Sequence, residues 1–132
     1  MGSKMGTSAQ TSRAAIGVDI IEIGRINRAI SRWHDSFIKR IYTQAELEGP
    51  HSIPSLAVRF AAKEAVMMAL GTGIRGVGWR DIEILTNGDG APVIRLYGRA
   101  LQRSTEIGIA QFDISMSHSR KYAIAFVIGH AK

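Results

Sequence analysis

One stretch decides the fold of this chain: Leu56-Ala57-Val58-Arg59-Phe60-Ala61-Ala62-Lys63-Glu64-Ala65-Val66-Met67-Met68-Ala69-Leu70-Gly71. Its apolar residues point in nearly every direction around a helix, and a helix of that kind is buried on most sides. Proline is tolerated in a first turn and glycine is typical of a helix end, so Ser52-Ile53-Pro54 and Gly71 bound it. We therefore predict a long central helix against which the rest of the chain packs.

Three charged residues, Arg59, Lys63 and Glu64, interrupt this helix. At about 100° per residue, Glu64 lies on the same apolar stripe as Phe60 and Met67. A lone carboxylate on such a stripe is costly unless it has a partner. A structural salt bridge would explain it, and so would a metal ligand beside a phosphate-binding group. The helix alone leaves both interpretations open.

The composition describes one small domain without thiol chemistry. The 132 residues have the length of a single domain, and the absence of cysteine excludes disulfides, thiolate metal sites and cysteine nucleophiles. Residues 1–13 are rich in Gly, Ser and Thr, and we expect a disordered leader or tag remnant there, followed by the folded domain at 14–132. The polar N-terminus carries no secretory signal, so we expect a cytoplasmic location.

The charge balance favours an acidic partner. Seventeen Lys and Arg against 11 Asp and Glu give a formal charge of +6. Nucleic acid, anionic lipid, a phosphorylated metabolite or an acidic protein would each fit that charge. No run approaches the ~18 continuous apolar residues of a membrane span.

The segment before the central helix predicts a strand and an amphipathic helix. Ala15–Ile21 reads as a buried strand that Asp19 interrupts, which makes Asp19 a second carboxylate in an apolar setting. A helix is expected over residues 22–34. Its apolar face comprises Ile23, Ile26, Ile30, Trp33 and Phe37, and its opposite face carries Arg25, Arg28 and Arg32. That basic face is either simply solvated or a docking surface for carboxylates or phosphates.

The remaining chain predicts a short helix, a hairpin, another helix and a strand pair. Thr43-Gln44-Ala45-Glu46 has the pattern of a capping box. Asn87-Gly88-Asp89-Gly90 is a strong turn signal between strands at 81–86 and 92–97. A helix at 98–108 and strands at 112–117 and 122–128 follow. The fold class is therefore α+β: a single domain with a long buried helix packed on a mostly antiparallel sheet.

Two loops could bind anions. Gly71-Thr72-Gly73-Ile74-Arg75-Gly76-Val77-Gly78 is glycine-rich, which lets backbone N–H groups approach a phosphate, although it lacks the ending of a Walker A loop. Ser117-His118-Ser119-Arg120-Lys121 joins hydroxyls, an imidazole and two cations in one turn. Either segment could equally be an ordinary surface connection.

Together these features favour phosphoryl-type chemistry. Asp19 and Glu64, without His or Cys nearby in sequence, suit Mg²⁺, which typically takes one or two carboxylates and completes its shell with water and substrate phosphates. Arg59, Lys63 and the glycine-rich loop could hold further phosphate. A polyphosphate substrate fits this set.

The chain also resembles a known family in four blocks, in family order and from about Ala14 to Ile128. The blocks are Ile16-Gly17-Val18-Asp19-Ile20-Ile21-Glu22-Ile23, Arg59-Phe60-Ala61-Ala62-Lys63-Glu64-Ala65, Gly71-Thr72-Gly73-Ile74, and Ile114-Ser115-Met116-Ser117-His118-Ser119. They are similar to the signature of holo-[acyl-carrier-protein] synthase, the small bacterial 4′-phosphopantetheinyl transferase. The second block is highly specific and the glycine block is weaker.

The resemblance implies an activity and its residues. Such enzymes move 4′-phosphopantetheine from coenzyme A to a serine of apo-acyl carrier protein in fatty acid biosynthesis, releasing adenosine 3′,5′-bisphosphate. It implies Mg²⁺ held by Asp19 and Glu64, and a homotrimer with active sites at subunit interfaces. The implied catalytic residues are Asp19, Glu64 and Lys63. The implied coenzyme A contacts are Arg59, Lys63, Gly71, Gly73, Ser117, His118 and Ser119, and the implied docking residues for an acidic carrier protein are Arg25, Arg28 and Arg32.

One position departs from the family pattern. The family usually has a second lysine four residues after the glutamate, and here that residue is Met68. Arg75, Lys121 or a cation of a neighbouring subunit could substitute for it. Two alternatives stand beside the enzyme: a coenzyme A-binding paralogue with weakened catalysis, which Met68 would explain, and a basic nucleic-acid-binding domain, which the charge of +6 and the basic face of the first helix would fit. The second lacks any familiar binding motif and leaves Asp19 and Glu64 unexplained.

Overall fold

A computed structural model describes residues 14–48 and 51–131, and the predicted leader at 1–13 lies outside them. The predicted central helix is present and runs from Ile53 to Leu70. Ser52 caps its first turn by accepting the N–H of Ser55, and Gly71 ends it in the left-handed conformation with φ of 74°. A glycine suits that end because a left-handed backbone costs it no Cβ clash.

The helices and strands follow the predicted order, with two further short helices, Asp35–Ile41 and Gly73–Gly76, and a 3-10 turn at Trp79–Asp81. They are β1 (Ala14–Glu22), α1 (Ile23–Trp33), α2 (Asp35–Ile41), α3 (Gln44–Leu47), α4 (Ile53–Leu70, the central helix), α5 (Gly73–Gly76), β2 (Ile82–Thr86), β3 (Pro92–Leu96), α6 (Gly98–Glu106), β4 (Gln111–His118) and β5 (Tyr122–His130). None of the described helices is long and apolar enough to cross a membrane.

Two antiparallel sheets pack around α4. One has the strand order β1-β5-β4, and the other is the predicted hairpin of β2 and β3. The inner face of the larger sheet covers α4 with small side chains, among them Ala123, Ala125 and Val127, all fully buried. The predicted α+β fold, with a long buried helix on mostly antiparallel sheet, is confirmed.

Gly17 sets how closely the central helix approaches β1. A Cβ atom built at Gly17 would lie 1.8 Å from the backbone oxygen of Ala65 and 3.1 Å from the nitrogen of Ala69. No side chain fits there, because real Cβ contacts are essentially never shorter than 3.0 Å. The helix and strand backbones therefore touch where Gly17 meets Ala65. Gly17 lies two residues before Asp19, and Ala65 directly follows Glu64.

The region after α1 differs from the prediction. The predicted helix at 22–34 ends at Trp33, and α2 begins at Asp35. His34 joins them with φ of 50° and ψ of −129°, a backbone conformation that L-residues rarely adopt. Because the chain turns there, Trp33 is 53% exposed instead of lying in the core with Ile26.

Candidate active site

The two predicted carboxylates lie together at the contact between β1 and α4. Burial, then a side-chain hydrogen bond with Asp19 and the charge of Asp19, raise the pKa of Glu64 to about 7, and nearby Arg25 opposes the shift. One oxygen of each group, Asp19 Oδ2 and Glu64 Oε1, is buried without a hydrogen-bond partner among the described residues. Buried polar atoms are nearly always satisfied, so these two oxygens are candidate ligands for a bound cation.

The donor set fits a hard cation. Two carboxylate oxygens are the protein share that Mg²⁺ commonly takes, with water and substrate phosphate as its other ligands. No group of three or more His, Asp or Glu side chains converges anywhere in residues 14–48 and 51–131. An all-protein cage is therefore absent from this part of the chain, whereas Asp19 and Glu64 can hold a cation that also binds substrate.

Met68 and the glycine-rich loop lie on the same side of α4 as Glu64. At about 100° per residue, Met68 is roughly 40° from Glu64 around the helix, and Gly71 is roughly 20° from it. Met68 is 51% exposed. The loop continues into α5, with positive φ at Gly71 and Gly73. This side of α4 therefore presents a carboxylate pair, an apolar side chain and a loop whose glycines leave the backbone accessible.

Lys63 does not belong to this side, and the structure contradicts its predicted contact with phosphate. Its side chain is fully buried, with Nζ donating to Glu46 Oε1 at 2.8 Å, to the Trp79 carbonyl at 3.1 Å and to the Ile82 carbonyl at 2.5 Å. An ammonium group has three protons, and all three are used. Burial lowers the pKa of Lys63, and Glu46 opposes that shift. Lys63 is therefore an internal structural residue.

Glu46 completes this internal cluster, and the sequence showed only part of its role. It closes the predicted capping box, accepting the N–H of Thr43 at 2.8 Å. Its other oxygen accepts the N–H of Ile84 at 2.8 Å. Glu46 and Lys63 thus join α3, α4 and β2. The capping pattern predicted the local contact, but nothing local indicates a partner 17 residues further along the chain.

Arg59 also faces away from the carboxylate pair. Its Nε donates to the Ile84 carbonyl at 3.0 Å, and Nη2 lies 3.3 Å from Thr86 Oγ1. Around α4 it is roughly 140° from Glu64. The guanidinium therefore belongs to the surface beside β2, and one chain does not bring it together with Glu64.

The Ser117-His118-Ser119 segment forms the exposed end of β4 and the following turn. His118 Nδ1 lies 3.2 Å from the Ser119 carbonyl. Ser119 Oγ accepts the N–H groups of Lys121 and Tyr122 at 3.3 and 3.1 Å. The turn is tied to the start of α1, because Ile23 donates its N–H to the Lys121 carbonyl at 2.8 Å. Its hydroxyl and imidazole groups face solvent.

The three arginines of α1 border an aromatic depression that sequence reasoning missed. Arg25, Arg28 and Arg32 are exposed and, with Phe37 and Phe60, line a cavity of about 390 Å³. The Arg25 guanidinium carbon lies 5.5 Å from the centroid of the Phe60 ring. A neighbouring cavity of about 410 Å³ is lined by Trp33, Ser36, Phe37, Arg40, Ile41, Phe60 and Trp79. We call the two cavities and these arginines the α1 docking surface.

Known proteins share both this sequence and this fold. The family profile described as the 4′-phosphopantetheinyl transferase superfamily matches residues 15–127. A holo-[acyl-carrier-protein] synthase of Herpetosiphon aurantiacus is 50% identical over 121 residues, covering 86% of this chain and 95% of that protein. The chain belongs to this superfamily. The match to holo-[acyl-carrier-protein] synthases confirms the predicted family and makes the chain an enzyme of that type.

Solved structures of holo-[acyl-carrier-protein] synthases agree with the fold. The Neisseria meningitidis enzyme is 39% identical with a TM-score of 0.79, covering 88% of this chain and 97% of that one. The Helicobacter pylori enzyme, solved in complex with coenzyme A, is 32% identical with a TM-score of 0.78, covering 86% and 98%. Phosphopantetheinyl transfer is the activity that this membership supports.

Proposed function

We propose that this chain transfers 4′-phosphopantetheine from coenzyme A to a serine of an apo-acyl carrier protein, with Mg²⁺, and releases adenosine 3′,5′-bisphosphate. The reaction would take place in the cytoplasm and serve fatty acid biosynthesis. The observation that carries this proposal is the pair of buried, unpartnered oxygens on Asp19 and Glu64. Coenzyme A is the ligand of the similar Helicobacter pylori enzyme.

Asp19 and Glu64 would hold the cation from two rigid elements, β1 and α4. Bound Mg²⁺ would neutralise negative charge on the pyrophosphate of coenzyme A. The chain's own contribution is to keep the two carboxyl groups together and partly shielded from water, which strengthens their electrostatic attraction for a cation. Both must be ionised to serve as ligands, so cation binding competes with the proton that Glu64 holds near pH 7.

Coenzyme A would lie along the Glu64 side of α4 toward Gly71 and Gly73. The N–H groups of Gly71 and Thr72 donate to the Met68 and Met67 carbonyls. The part of the glycine-rich loop that would approach phosphate therefore begins at Gly73, which has no Cβ atom. Arg59, Ser117, His118 and Ser119 would contact the adenosine phosphates. Because Arg59 faces away from Glu64, we assign it to the site of a neighbouring subunit.

A homotrimer would supply that neighbour. The outer face of the β1-β5-β4 sheet exposes a continuous apolar patch, with side chains 40% to 59% accessible: Ile16, Val18, Ile20, Tyr122, Ile124 and Phe126. Pairing of Val18 with Phe126 and of Ile20 with Ile124 makes the patch contiguous across β1 and β5. Exposed patches of this kind mark protein interfaces. The number three rests on the family resemblance, and light scattering would measure it.

The α1 docking surface would receive the carrier protein. Its arginines attract an acidic helix and speed encounter at low salt. The neighbouring aromatic cavity, with Trp33 on its rim, offers a place for an apolar side chain of that helix. Arg28→Gln should therefore raise KM for carrier protein and weaken its salt dependence, without changing affinity for coenzyme A.

Intact-mass spectrometry of an apo-acyl carrier protein tests the proposal directly. After incubation with the chain, coenzyme A and Mg²⁺, the carrier should gain one phosphopantetheine group, and EDTA should prevent the gain. No gain from a sample that binds coenzyme A would favour the weakened paralogue, for which the exposed Met68 is the specific observation. If the chain shows no transfer and also does not bind coenzyme A, that result would contradict the proposed function.

A further inference from the structure

The C-terminus of α4 is held by an arginine from a different helix. The last carbonyls of a helix lack intrahelical partners and need other donors. Arg103 of α6 supplies one, because its Nε donates to the Leu70 carbonyl at 2.9 Å. A cation at this end also interacts favourably with the helix dipole. Leu70 immediately precedes Gly71, so this contact lies at the start of the glycine-rich loop.

The helix that carries Arg103 is held in place by buried side chains and by hydrogen bonds to Ile109. Ala100 and Ser104, on the same helix, are buried. Ser104 Oγ donates to the Ile109 carbonyl, and Ile109 returns its N–H to the Ser104 carbonyl at 2.9 Å. The outer edge of the guanidinium meets Glu106 at 3.8 Å, a weak exposed contact. Arg103 therefore reaches α4 from a fixed base.

The same guanidinium borders Gly71. Its Nη2 lies 3.5 Å from the position that a Cβ atom on Gly71 would take. A cavity of about 260 Å³, lined in part by Ala15, Ala69, Gly71 and Arg103, opens beside the contact. Gly71 and Thr72 donate their N–H groups to the Met68 and Met67 carbonyls at 3.0 and 3.1 Å. Arg103 adds a side-chain contact to this capped helix end, and without it the Leu70–Gly71 backbone would border the cavity on this side.

We propose that Arg103 is a positioning residue for coenzyme A. By holding the Leu70 carbonyl it acts with the cap bonds of Gly71 and Thr72 to set the direction in which the loop leaves the central helix, and hence where the N–H groups from Gly73 onward point. This inference rests on the proposed function of the loop. Arg103 acts on coenzyme A through the loop, and it has no part in carrier-protein docking on α1.

Coenzyme A titration calorimetry on the intact chain with Mg²⁺ tests the inference, using Arg103→Met against the matched control Arg99→Met. Arg99 is an exposed arginine on the same helix. We expect Arg103→Met to weaken coenzyme A binding at least fivefold and to raise KM for coenzyme A by a similar factor. The kcat and the KM for carrier protein should stay within twofold of the parent. Arg103→Lys, which keeps the charge and a donor group, should recover part of the affinity, and Arg99→Met should match the parent.

Unchanged coenzyme A affinity in a folded Arg103→Met variant would overturn the inference. So would an equal loss in kcat and in both KM values together with a lower Tm, since that pattern describes general destabilisation. A parent chain that binds no coenzyme A would be a different failure, that of the proposed function itself, and the inference would fall with it.

Discussion

Replacing Lys63 by Met tests whether this lysine has a structural or a catalytic role. The two side chains have similar length, so the substitution leaves little empty volume and removes mainly the charge and its three donors. Glu46 would keep the N–H groups of Thr43 and Ile84 but would lose its buried counter-charge. The carbonyls of Trp79 and Ile82 would each lose their ammonium donor.

The expected loss of stability is large. Breaking a fully buried ion pair by removing one partner costs about 3–5 kcal/mol. For a domain of this size that corresponds to a fall in Tm of roughly 10–20 °C. Lys39→Met, at an exposed lysine, should stay within about 0.5 kcal/mol of the parent. The double variant Lys63→Met/Glu46→Gln should recover part of the loss, because it removes the unpaired carboxylate.

Urea unfolding at a fixed protein concentration, followed by circular dichroism, measures these differences. Transfer activity should be normalised to the folded fraction at a temperature where Lys63→Met remains folded. We expect that normalised rate to stay within a few-fold of the parent. A variant as stable as the parent that has lost transfer would refute the structural role and restore Lys63 to the chemistry.

Five further outcomes are expected. Asp19→Ala and Glu64→Ala should each abolish transfer in the mass assay while circular dichroism shows an intact fold; full activity in either would contradict the cation site. Because the pKa of Glu64 is raised from 4.5 to about 7 in the folded chain, the metal-free chain holds a proton that the unfolded chain releases, so its stability should fall as pH rises from about 5 to 7. Mg²⁺ displaces that proton, so its effect on Tm should be larger at pH 8 than at pH 6, and equal shifts would contradict the assignment. His34→Gly should stabilise the chain by about 1 kcal/mol in urea unfolding by relieving the positive φ, whereas a loss would mean that the side chain has a compensating contact. Met68→Lys restores the lysine that the family usually has at this position, and it should raise kcat if the absence of that positive charge limits transfer. An unchanged kcat would show that another group already supplies the charge.

The elements of the fold were predictable because their signals are local. The apolar circumference of the central helix, the capping box at Thr43 and Glu46, and the turn at Asn87–Gly90 each depend on neighbours within a few residues. Asp19 and Glu64 were recognisable for a related reason, since a carboxylate in an apolar stretch conflicts with its own surroundings. Such a conflict is visible without knowledge of the tertiary structure.

The directions of the long side chains were not predictable. Lys63 and Glu64 are adjacent in sequence but about 100° apart around α4, and only the packing of α3 and β2 turns the lysine inward. The direction of Arg59 likewise depends on β2, through its contacts with Ile84 and Thr86. The contact of Arg103 with Leu70 joins residues 33 positions apart, and no periodic pattern reports such a pair.

The bare backbone at Gly17 has a consequence for how variants of this enzyme should be interpreted. Because the oxygen of Ala65 would lie 1.8 Å from a methyl group there, even alanine must lift the helix from the strand. The two acids would then separate, since each is attached to one of the displaced backbones. Gly17, which has no side chain, thus sets the distance between the two carboxylates of the binding site. Loss of metal affinity in a Gly17 variant would therefore mean that Asp19 and Glu64 are too far apart, although both ligands are still present.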